Sequence, residues 1–131
     1  MERRTMIQSF DWSSLQLVQR EAPEIRTIYL TAPRTLAPDY RKSSPWLAGF
    51  APEAYGGSVP KAVHAAEGRI WAPNQTFLTA ALLAEARSLG LVVIPWTVNE
   101  PAMMVKLLDM GVDGIIPDRP DLVQIEMRKR R

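Results

Sequence analysis

The sequence predicts an α/β fold built on a parallel sheet. Three observations carry this reading. Apolar, β-branched runs alternate with stretches of helix length and pattern, the runs are continuous rather than alternating in period two, and Gly, Pro or a capping residue stands at most boundaries. Strands buried on both faces read as unbroken apolar runs, as parallel strands between covering layers do.

Met6 to Phe10 reads as a short strand. Asp11 or Ser13 then caps a helix in which Leu15 and Val18 recur at helical spacing, with Ala22 one turn on and Pro23 as its stop. "IRTIYLT" (Ile25 to Thr31) is a second strand, rich in β-branched and aromatic residues. Residues 32–60 form a long βα loop carrying five prolines and three glycines, with Trp46, Phe50 and Tyr55 to pack it. "VPKAVHAAEG" predicts a short helix closed by Gly68, and "RIWAP" a third strand. Thr76 to Leu89 is the clearest helix, ended by Gly90.

"LVVIPWTV" predicts a fourth strand, with Pro95 at a bulge or near its end because a proline removes a ladder donor. Asn99 caps the next helix, Glu100 and Pro101 suit its first turn, and Gly111 closes it. "VDGIIP" is a fifth strand-like segment, after which Asp118 caps a final helix with Pro120 just inside it. Right-handed crossovers put every loop that follows a strand at one edge. Gln8, Ser9, Phe10, Thr31, Trp71, Asn74, Trp96, Thr97, Asn99 and Asp118 are therefore expected at the carboxyl rim, where parallel α/β folds bind ligands.

Composition sets the bounds. The 131 residues suffice for one domain with a core, and 47% hydrophobic with 23% charged residues is ordinary for a globular chain. Without cysteine, neither a disulfide framework nor a thiolate metal site is available. The formal charge of +2 owes four positives to Arg128, Lys129, Arg130 and Arg131, in the basic tail at 126–131. The remainder carries 12 basic against 14 acidic residues, so a nucleic-acid partner is poorly supported. No apolar run approaches the roughly 20 residues of a membrane span. The start has no signal-like stretch, which implies a cytoplasmic protein if Met1 is the true start.

The blocks "MIQSFDWSSLQLV", "EIRTIYLT" and "WAPNQTFLTAALLAEARSLGLVVIPWTVNEPAMMVKLLDMGVDGIIPDRPDLV" resemble the C-terminal half of the glycerophosphodiester phosphodiesterase family. The resemblance runs from about Met6 to Leu122 and is weaker in the loop. It implies the C-terminal half of a TIM (β/α)8 barrel, about four βα units whose strands match the fifth to eighth. Half of a barrel of about 250 residues agrees with the length. The implied activity is hydrolysis of glycerophosphodiesters with a divalent cation, Ca2+ or Mg2+. The family's His-Arg-Gly motif, Glu-x-Asp ligands, second histidine and later glutamate have no counterpart here, so the cation's ligands lie outside this chain. Pro117 departs from the threonine the family usually carries before the Asp.

Phe10, Trp96, Trp71, Ser9 and Asn99 are the candidate substrate-binding residues, with the aromatics as pocket walls. Each has a plainer reading: core packing for the rings, backbone satisfaction for Ser9, a helix cap for Asn99. A cation between Asp11 and Asp118, or His64 as general acid, is the weaker expectation; both aspartates suit N-caps, and His64 matches neither family histidine. The chain reads as a fragment or a truncated frame, inactive alone, whose partner is the missing N-terminal half-barrel or a second copy. The alternative is a non-catalytic half-barrel serving as a homodimeric binding or structural module, since a half-barrel exposes edge strands and an apolar face.

Overall fold

A computed structural model of the chain describes residues 6–32, 47–50, 52–117 and 128. Four parallel strands, β1 (Met6–Ser9), β2 (Arg26–Thr31), β3 (Ile70–Pro73) and β4 (Val92–Val93), lie side by side in chain order. Helices α1 (Trp12–Glu21), α2 (Val59–Ala65), α3 (Ala80–Ser88) and α4 (Pro101–Met110) alternate with them. Short 3₁₀ turns occupy Pro52–Tyr55 and Gln75–Phe77. The expected Asp118 cap and final helix lie outside the described residues, as do residues 33–46 of the long loop.

The register sorts the strand residues onto two faces. Tyr29, Trp71 and Val93 join Trp12, Leu15, Val63, Leu83, Met104 and Leu107 in the core between sheet and helices. Ile28, Leu30, Ile70 and Ala72 form a second cluster on the opposite face, with Phe10, Ile94, Trp96 and Ile116 against it. Two apolar faces are what the continuous runs require.

The fourth and fifth strands are shorter than expected. β4 keeps two residues, although Ile94 and Trp96 still donate to the carbonyls of Trp71 and Pro73 at 3.0 and 3.1 Å. The fifth segment is one parallel bridge, Trp96 with Ile116. Pro95 explains the break, as it has no N–H to offer that neighbour. Val93 and Pro95 instead accept from Asp113 and Ile116, so a step of two residues on one side faces a step of three on the other, a bulge within residues 113–116 that faces the proline.

Helix boundaries follow local caps. Asp11 accepts from Ser13 N at 3.0 Å and starts α1. The helix expected over 76–89 is divided: Asn74 caps the 3₁₀ turn, and Thr79 Oγ1 accepts from Leu82 N at 3.1 Å to open α3 afresh. Gly90 and Gly111 close α3 and α4 in the left-handed region, at φ 77° and 97°. Behind α2 that role falls to Glu67, at φ 63°. Gly68 donates to Val63 O and Glu67 to His64 O, the paired bonds of a Schellman motif. Gly68 is small for another reason: a Cβ there would lie 2.8 Å from the Tyr29 ring and from Val63.

Candidate functional site

The carboxyl edge gathers the ends of β1, β3 and β4. Phe10 and Trp96 meet edge to face there, with ring centroids 5.5 Å apart and planes at 79°. In a flat sheet the first and fourth strands would stand about 14 Å apart. The contact therefore means that the sheet curls, and both rings sit on the face opposite the described helices, beside Leu30 and Ala72. Trp96 is further fixed by Nε1, which donates to Ala72 O at 2.8 Å. Both rings are partly exposed.

Trp71 does not join them. It lies on the helix-facing side, 2% exposed, and its Nε1 donates to Thr31 Oγ1 at 3.0 Å. Neighbouring strand positions point to opposite faces, so one residue of parity separates a rim ring from a core ring. A hollow of about 160 Å³ lies behind Trp71, lined also by Thr31, Pro73, Asn74, Phe77 and Leu82. Two larger hollows border the amino edge, beside Gln19, Glu67 and Arg69, at the other end of the strands.

Ser9 Oγ accepts from Asp11 N at 2.9 Å, which shapes the turn into α1. Gln8 and Asn99 are exposed. Asn99 is not the helix cap expected of it. That position falls to Glu100, whose side chain makes no capping bond, because Pro101 already starts the helix. His64 is exposed on α2 and borders the amino-edge hollow, remote from the rim residues. Asp11 is engaged by Ser13 N and, at 3.2 Å, by Ser14 Oγ. Among the described residues no group of three His, Cys, Asp or Glu is placed to hold a metal ion, and no helix is long and apolar enough to cross a membrane.

One residue at this edge escaped sequence reasoning. Gln75 N donates to Trp96 O and its Nε2 to Thr97 O, each at 2.8 Å. An amide after a capping Asn carries no distinguishing sequence signal.

Residues 1–122 match the glycerophosphoryl diester phosphodiesterase family model. A glycerophosphodiester phosphodiesterase of Bacillus altitudinis is 32% identical over 122 residues, covering 92% of this chain and 42% of that protein. A Silicibacter pomeroyi protein, named provisionally as a glycerophosphoryl diester phosphodiesterase, superposes with a TM-score of 0.78 at 37% identity, covering 99% of this chain and 39% of that one. An Oleispira antarctica phosphodiesterase, solved with the product sn-glycerol-3-phosphate, shares the fold at a TM-score of 0.69 and 18% identity, over 94% of this chain and 41% of its own. The chain thus spans about two-fifths of these relatives, and its parallel βα units are the C-terminal half of their TIM barrel. By family model, sequence and fold together, it belongs to the glycerophosphoryl diester phosphodiesterase family.

Proposed function

We propose that this chain contributes the apolar wall of a glycerophosphodiester phosphodiesterase pocket, formed by Phe10 and Trp96. The observation that carries the reading is their edge-to-face contact at the carboxyl edge, on the face opposite the described helices. Barrel enzymes bind substrate at that edge. Two fixed rings offer a glycerol backbone or head group an apolar surface and keep water from one side of it. Ser9 and Trp71 act at one remove, through Asp11 N and Thr31, while Asn99 stands exposed beside α4.

Phosphodiester hydrolysis needs a positioned water, a proton for the leaving alkoxide and neutralisation of developing charge. In the family's chemistry a divalent cation, Ca2+ or Mg2+, supplies the last. The described residues do not fit it: Asp11 is committed to its cap and Asp113 to Val93 N and Arg87. This chain's part is binding and water exclusion, and alone it is inactive. Its partner is a polypeptide supplying the other βα units, either an N-terminal half-barrel or a second copy.

The test is hydrolysis of glycerophosphocholine by purified chain with added Ca2+ or Mg2+, with light scattering for assembly. No turnover by the chain and restored turnover on joining an N-terminal half-barrel are expected. Turnover by the chain alone at the rate of full-length relatives would refute its inactivity. A closed, inert homodimer would favour the non-catalytic module.

A further inference from the structure

We infer that Gln75 is a positioning residue that sets the placement of Trp96, an inference that deepens the aromatic-wall reading above. The loop after β3 brings Gln75 against the turn after β4. Its backbone N–H binds Trp96 O and its side-chain Nε2 binds Thr97 O, both at 2.8 Å, so one residue grips two successive carbonyls. The indole is held at its other end by Ala72 O. Trp96 is thus tied through its own backbone, through the next residue and through its ring, which also meets Phe10 edge to face.

The other side-chain oxygen argues that this grip is more than packing. Gln75 Oε1 is buried and accepts no hydrogen bond among the described residues. A buried acceptor without a partner costs stability, and such groups in folded proteins call for an explanation beyond the fold. An apolar side chain would remove that cost but also release Thr97 O. Gln75 keeps the contact that orients the rim at the expense of its own solvation.

The test uses the 131-residue chain labelled with 5-fluorotryptophan, which carries four tryptophans. The Trp96 resonance is identified by its loss in Trp96→Phe. Gln75→Met keeps side-chain length and removes both the donor and the unsatisfied oxygen; Gln75→Asn keeps the amide on a shorter arm. Both should shift or broaden the Trp96 signal and leave those of Trp12 and Trp71 in place, with no fall in Tm for Gln75→Met. An unmoved Trp96 signal, or one moving only together with the core tryptophans and a lowered Tm, would overturn the inference. No ligand enters this measurement, so failure of the aromatic-wall reading and failure of the positioning role are read separately.

Discussion

Asp113 holds both ends of Val93. Its backbone N–H donates to Val93 O at 3.0 Å, and its carboxylate accepts from Val93 N at 2.8 Å. The side chain thus takes the place of the backbone carbonyl that a parallel neighbour would offer Val93 N. Arg87 approaches the same carboxylate at 3.6 Å from a half-exposed position, where screening leaves an ion pair little weight.

Removing that acceptor should therefore matter more than removing the charge partner. Asp113→Ala is expected to lower stability by about 1–3 kcal/mol, the cost of a buried donor left without a partner. Asp113→Asn retains an acceptor and should cost less, and Arg87→Ala less than about 1 kcal/mol. Urea unfolding of the three variants gives the order; an Arg87→Ala effect equal to that of Asp113→Ala would refute this division.

The Phe10–Trp96 contact should appear as a coupling. Edge-to-face pairs contribute about 0.5–1.5 kcal/mol beyond the area they bury. A double-mutant cycle with Phe10→Ala and Trp96→Ala in unfolding experiments should return a value in that range. Additive losses would mean that the two strand ends do not meet in solution. In an assembled, active barrel either substitution should raise KM for a glycerophosphodiester.

Behind α2 the two neighbouring residues should respond in opposite directions. Glu67→Gly removes a side chain from the left-handed region and is expected to stabilise by about 1 kcal/mol. Gly68→Ala drives a methyl into the Tyr29 ring and should destabilise by about 1–3 kcal/mol, as overpacking does. Thermal melts of the two single variants suffice to check the signs.

Tyr29 supplies a pH dependence. Burial, with a smaller contribution from the charge of Glu67, pushes its phenol up to about 12, against the side-chain hydrogen bonds with Gln16 and Gln19, which lower it. The folded state therefore keeps a proton that the unfolded chain releases near pH 10. The stabilisation is full below pH 10 and is lost as pH rises towards 12. Tyr29→Phe should flatten this part of the stability profile; an unchanged slope in the variant would assign it to other groups.

Much of the architecture was legible because punctuation and periodicity are local. Gly90 and Gly111 close their helices as predicted, Asp11 caps α1, and Pro95 lies just past the end of β4, facing a bulge. The Asn99 and Gly68 expectations missed by one residue. Pro101 sets the start of α4 more firmly than an Asn before it, and Gly68 answers to Tyr29, 39 positions earlier in the chain.

The sequence by itself determined the order of elements, the parallel sheet and the family, through runs and motifs that need no knowledge of what they face. Only the tertiary structure decided that Trp96 stands with Phe10 on the face opposite the described helices while Trp71 is buried beneath those helices. The physical reason is that strands apolar on both faces carry no alternation to mark which face is which. Register against neighbouring strands and the curl of the sheet break that symmetry, and both exist only once the chain has folded.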